Sequence, residues 1–217
     1  MGFIYGSDWY WYRFYSGGKV ERVNGAYYYM LEIERNIIPY IDTDRNWVLT
    51  NLVPYRVNTD HNIVFIHSNE HPEVYDWLKR CKDTVLVCGI PETCEKVAHL
   101  GRPIYLPLSI DVADTQQYAR EKDRDLCYAG RHVKIKPYIP PGADVVTGRK
   151  RSEFLKELAR YKRVAGVGRV ALEALALGAE IVPYDPRFPD PSRWQLLDNS
   201  EAVPILQHLL DEIDGGQ

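Results

Sequence analysis

Residues 166–185, GVGRVALEALALGAEIVPYD, constrain the fold of this chain more than any other stretch. Gly166 and Gly168 admit backbone conformations that other residues resist, so a tight turn is expected there. Val170 to Leu177 is a run of strong helix formers. Gly178 follows at the place where a left-handed cap ends a helix. AEIVPYD then reads as a short apolar strand closed by Pro183 and Pro186. A helix that begins in a glycine turn offers unpaired N–H groups and a positive dipole end to an anion. Arg169 adds a full charge, and Glu173 lies one turn further on the same face. A lone carboxylate in an otherwise apolar helix has two readings. It receives a ribose diol while phosphate sits at the turn, or it forms an i,i+4 ion pair with Arg169 on a solvated face. Such an exposed pair is worth only about 0.2–0.5 kcal/mol.

The chain has 217 residues, 45% of them hydrophobic, which suits one large domain or two small lobes. No stretch is apolar and long enough to predict a membrane span. The first residues show no basic region followed by an apolar run, so no secretory signal is expected. Cys81, Cys88, Cys94 and Cys127 match no zinc spacing, and the expectation is reduced, mostly buried thiols in a cytoplasmic protein. The net charge of −3 conceals an asymmetry: residues 131–169 hold eleven Lys/Arg against three acids, Asp144, Glu153 and Glu157. That block suits an anionic partner, a nucleotide or a nucleic-acid backbone. Part of it, RSEFLKELARYKR, reads equally as a solvated helix face.

The first sixty residues are rich in aromatics, with an opening strand at GFIY, a helix over about 26–35 and a strand at WVLTNLV. From His61 the rhythm becomes regular. HNIVFIH, DTVLVCGI and RPIYLPLSIDV read as strands, with helices at HPEVYDWLKRC and PETCEKVAHLG between them. Strands and helices alternating at this spacing predict βαβ units and a parallel sheet. ADTQQYAREKDRD is polar and marks a lobe boundary. A second alternation follows: strands at DLCYAGR, ADVVTG and RVAGV, with a helix at RSEFLKELARYK. An amphipathic helix, EAVPILQHLLDEID, ends the chain, with Leu206, Leu209, Leu210 and Ile213 on one face. The expected organisation is an N-terminal lobe over 1–113, a second lobe over 114–190, and an extended segment with a helix over 191–217. Ligands in such folds bind at the carboxyl ends of the strands.

Three segments in this order resemble the GT-B glycosyltransferases: IYLPLSIDV (Ile104 to Val112), LCYAGR, and GVGRVALEALALGAEIVPYD. Ser109 and Ile110 stand where that family usually has glycine and valine. The resemblance covers most of residues 60–185. It implies an α/β chain of two small Rossmann-like lobes with a cleft between them, in shortened form. It also implies transfer of a sugar from a nucleotide-diphosphate-sugar donor to an acceptor that the sequence leaves open: a small molecule, a glycan, a protein or a modified DNA base.

The resemblance implies the site residues too. Glu173 would accept hydrogen bonds from the ribose hydroxyls. The N–H groups at Gly168, Arg169 and Val170 would face the diphosphate. Arg131 would neutralise the leaving diphosphate together with Lys136, with Lys134 in reserve, since positive charge placed where negative charge develops is commonly the largest catalytic contribution. No metal and no further cofactor is then required. His67, ending the IVFIH strand, would face the acceptor or act as a base, or would simply cap a turn. Asp8, Trp9 and Trp11 suit acceptor contacts and suit a homodimer interface equally.

Many retaining members carry two acidic residues eight positions apart, the second matching Glu173; position 165 here is alanine. Two other readings therefore stand beside the glycosyltransferase. One is a non-catalytic nucleotide or nucleotide-sugar binding module. The other is a DNA-associated modification protein using the basic 131–169 block.

Overall fold

The computed structural model describes residues 4–5, 25–50, 59–66, 72–130, 139–147, 150–183, 190, 192 and 194–216. The chain divides into two compact units. The first comprises residues 1–19, 26–108 and 200–217, the second 20–25 and 109–199.

The first unit is built on a five-stranded, wholly parallel sheet in the sequential order β1-β2-β3-β4-β5. Its strands are β1 (Ile4–Tyr5), β2 (Asn46–Thr50), β3 (Asp60–Ile66), β4 (Lys82–Cys88) and β5 (Arg102–Tyr105). Helix α1 (Gly25–Asn36) precedes β2, while α2 (Pro72–Leu78) and α3 (Pro91–Val97) form the crossovers from β3 to β4 and from β4 to β5. Right-handed crossovers that all step the same way place their helices on one face. Val48, Val64, Ile66, Leu86 and Cys88 of that face accordingly pack with Val74, Trp77 and Leu78 of α2 and Val97 of α3. The opposite face, Trp47, Leu49, Ile63, Phe65, Val85 and Val87, is buried as well. Burial on both faces is why β3 and β4 read as continuous apolar runs rather than alternating ones.

The second unit carries a four-stranded parallel sheet in the order β7-β6-β8-β9. Its strands are β6 (Arg124–Ala129), β7 (Asp144–Val146), β8 (Tyr161–Ala165) and β9 (Glu180–Ile181). Helix α4 (Val112–Gln116) precedes β6, α5 (Arg151–Leu158) joins β7 to β8, and α6 (Arg169–Ala176) joins β8 to β9. Cys127, Ala129, Val146 and Val164 of the sheet form one core with Leu155 and Leu158 of α5 and with Ala174 of α6. The expected α/β class and parallel sheets are therefore present in both units, the architecture of Rossmann-like lobes.

Some boundaries differ from expectation, and local chemistry explains each. The units part at Leu108 rather than at 113. The polar stretch after Val112, expected to mark the lobe boundary, opens with a helix, because the Asp111 carboxylate accepts the Asp114 N–H at 2.8 Å and starts α4. The buried Ser109 hydroxyl donates to Asn199 Oδ1 at 2.8 Å, and Ile110 exchanges backbone hydrogen bonds with Leu197 and Asn199. Among the described residues of the expected AEIVPYD strand, Glu180–Ile181 are in strand conformation. The final helix, α7 (Asn199–Gly215), contributes residues 200–215 to the first unit instead of standing apart with 191–199. It buries Ala202, Leu206 and Leu210.

Among the described residues, no helix is long and apolar enough to cross a membrane. All four cysteines are free thiols, with Cys88 and Cys127 buried. Burial pushes the Cys127 thiol up to about 12 and Cys81 up to about 11.

Candidate functional site

In the second unit the chain runs from the inner strand β6 to the edge strand β7, then returns past β6 to β8. The strand order thus reverses between β6 and β8, and a ligand crevice forms beyond the carboxyl ends at such a reversal. Tyr128 and Ala165 form the last pair between those two strands. Each strand then ends in glycine. Gly130 has a φ of 147° and its N–H donates to Val146 O at 3.4 Å. Gly168, the residue before α6, has φ 59° and ψ −133°, a conformation that side chains resist.

Gly166 is held by contact rather than by φ. A Cβ there would come within 2.8 Å of Val170 Cγ1. The turn thus folds tightly over the first turn of α6, and the Gly168 carbonyl accepts from Ala171 and Leu172. The far end closes as expected. Gly178 has a φ of 75°, its N–H reaches Leu175 O at 2.8 Å, and Ala179 N–H reaches Ala174 O at 2.9 Å. These two bonds form a Schellman cap. Lys122 reinforces it by donating to Leu177 O at 2.8 Å.

Arg169 Nε donates to Glu173 Oε1 at 2.6 Å, so the i,i+4 pair exists. It does not lie on a solvated face: the Arg169 side chain is 7% exposed and that of Glu173 2%. A second guanidinium explains how the carboxylate tolerates burial. Arg151 Nη1 donates to the same Glu173 Oε1 at 2.5 Å. Arg151 and Arg169 are the first residues of α5 and α6, both of which start at the carboxyl edge of the sheet. Cations are disfavoured by the dipole at helix starts. Two of them nevertheless converge there on one carboxylate.

Gly168, Arg169, Val170 and Glu173 are thus brought together at the strand-order reversal. Arg131, Lys134, Lys136 and His67 lie outside the described residues, as do Asp8, Trp9 and Trp11. Arg151 was missed by sequence reasoning, which took its segment as a solvated helix face. The available signal was its place at the start of a helix following a strand. That solvated reading holds for Ser152, Glu153 and Lys156, which are exposed. The basic block is also partly neutralised from outside: Arg160 pairs with Asp123 at 2.8 Å and Arg163 with Asp125 at 2.6 Å. Among the described residues, no group of three or more His, Cys, Asp or Glu side chains could hold a metal.

A second charged cluster lies at the amino edge of the first sheet, where sequence reasoning expected nothing. Asp44, Arg45, His61 and Asp83 meet there, beside an open depression of about 520 Å³ lined by Asp83, Thr84, Gly101 and Arg102. His61 and Asp83 have left-handed φ values of 56° and 44°. No sequence motif joins these residues, because they come from the starts of three different strands.

No known protein family, curated protein or solved structure matches the chain.

Proposed function

We propose that the second unit binds the diphosphate of a nucleotide-activated sugar at the carboxyl edge of its sheet, and that the chain is a metal-independent glycosyltransferase. One observation carries the binding part: two helix-start arginines, Arg151 and Arg169, converge on Glu173 beside the glycine turn at the strand-order reversal. Transfer rests on the order of the three segments that resemble GT-B enzymes. In this reading the backbone at Gly168, Arg169 and Val170 faces the diphosphate. Arg131 and Lys136 stabilise it as a leaving group, and His67 serves the acceptor. Ribose hydroxyls would share the Glu173 carboxylate with the two guanidiniums, which now occupy Oε1.

A non-catalytic nucleotide-sugar binding module is the second reading. It is favoured by Ala165, fully buried at the end of β8, where retaining enzymes place an acid. The DNA-associated reading receives less support, since Asp123 and Asp125 already take Arg160 and Arg163 out of the basic block.

A thermal-shift panel of nucleoside diphosphates and their sugar conjugates tests binding. A ligand at a hundred times its Kd stabilises the folded state by about 2.7 kcal/mol. Arg131→Ala and Glu173→Ala should each remove the shift. No shift with any nucleotide would end the proposal. Hydrolysis of the best-bound donor then separates the enzyme from the binding module.

A further inference from the structure

The carboxyl-terminal helix α7 is tied to the amino edge of the first sheet through a strip of four residues, 42–45. At one end the Asp42 N–H donates to Gln207 Oε1 at 2.7 Å, and Gln207 Nε2 donates back to the Asp42 carbonyl at 3.1 Å. Seven residues further along α7, two turns on the same face, Asp214 Oδ1 accepts from Arg45 Nη2 at 2.6 Å. The Arg45 side chain is 1% exposed.

The strip is in turn fixed to the sheet. Arg45 Nη1 donates to the Asp83 carbonyl at 3.0 Å and to Asp83 Oδ2 at 3.1 Å. His61 stands between two carboxylates, with Nδ1 2.7 Å from Asp83 Oδ2 and Nε2 2.9 Å from Asp44 Oδ1. Ionised carboxylates only accept hydrogen bonds, so both ring nitrogens must carry protons for both contacts to hold. A neutral imidazole donates once and turns a lone pair toward the other carboxylate. Among the described residues, the cluster also holds Arg45, Asp214 on α7, and Arg102 on β5, 4.0 Å from Asp83 Oδ1. His61 and Asp83 also hold left-handed backbone conformations that are strained for residues other than glycine, and this network opposes their relaxation.

We propose that His61 is a proton-operated pin: as the imidazolium it locks the 42–45 strip onto the sheet and so docks α7, and when neutral it releases Asp44 and loosens the helix. The hydrogen bond to Asp83, then that to Asp44, raises the titration of His61 above its ordinary 6.5. A raised folded-state value means that the stabilisation is complete below 6.5 and is lost as pH climbs through the higher folded value. Docking of α7 therefore weakens as pH rises above 6.5 and through that higher value.

Hydrogen exchange of the intact chain at about pH 6 and about pH 8.5, normalised to intrinsic rates, compares α7 docking below 6.5 with docking well above it. The α7 amides should lose protection severalfold at the higher pH, the 41% exposed His61 side chain being partly screened by solvent. His61→Asn, a residue at ease with positive φ, should abolish that pH dependence. Equal α7 protection at the two pH values, or the same loss in His61→Asn, overturns the proposal. Should His61→Asn not fold, Asp44→Asn supplies the test. It removes one carboxylate at an exposed position and should move the loss of protection to lower pH. An unmoved midpoint overturns the pin.

Discussion

Arg151 and Glu173, from different helices and 22 residues apart, meet at 2.5 Å with the carboxylate almost wholly buried. Arg169 occupies the same oxygen at 2.6 Å. Removing one member of a buried ionic group costs more than the group contributes, because its partners are left desolvated and uncompensated. Glu173→Gln should therefore destabilise the chain by about 3–5 kcal/mol, leaving two guanidiniums against a neutral amide. Arg151→Gln leaves the Arg169 pair intact and should cost about 1.5–3 kcal/mol, the loss of one charge-assisted hydrogen bond. Denaturant unfolding of both variants checks the order. Equal and negligible effects would place Glu173 on the surface.

The turn ahead of α6 makes a second test. Adding a methyl at Gly166 drives a Cβ to within 2.8 Å of Val170 Cγ1, and a β-branched side chain has little freedom to yield. Gly166→Ala should cost about 1–3 kcal/mol by overpacking. In the Val170→Ala background the same change should cost clearly less, since the clashing atom is gone. Additive effects in this double-mutant cycle would mean that the turn is not packed against α6.

Acid should unfold the protein through its ion-paired aspartates. The hydrogen bond from Arg160 holds the Asp123 carboxyl at about 2, and that from Arg163 lowers Asp125. Burial favours the neutral acid at Asp83, but the hydrogen bonds from His61 and Arg45 outweigh it and hold it low. Depressed carboxylates stabilise the fold above their unfolded value of 3.8, and that stabilisation disappears as pH falls through the lowered values. Asp123→Asn should thus lower the denaturation midpoint at pH above about 4 and match the parent near pH 2. A difference that persists undiminished down to pH 2 would rule out the Asp123–Arg160 pair as its source.

Most of the elements were legible because their signals are local. The apolar runs of β3 and β4, the proline that opens α3 and the Gly178 cap each act within a few residues, and the structure places strands, helix and cap where they predict. The misses share a different cause. The short helix α4, capped by Asp111, begins at the end of the expected RPIYLPLSIDV strand and runs into the polar stretch expected to mark a lobe boundary. Of the described part of AEIVPYD, only Glu180–Ile181 are strand, the extent depending on pairing with β8 rather than on composition. At the candidate site, the sequence spacing of Arg169 and Glu173 announced their pair, yet its burial follows from packing around α6 and from an arginine on another helix.

What the sequence by itself determined is the alternation of strand and helix, the parallel sheets that this alternation requires, and the glycine turn that starts α6. Periodicity and turn chemistry encode these within one or two turns of chain. Only the tertiary structure decided the sequential strand order of the first sheet and the reversed order of the second. It alone brought Arg151 to Glu173, and set His61 between Asp44 and Asp83. Those partners lie 17 to 22 residues apart in sequence. Sequence spacing carries no geometric information at that range, and the packing of whole elements chooses which charges meet.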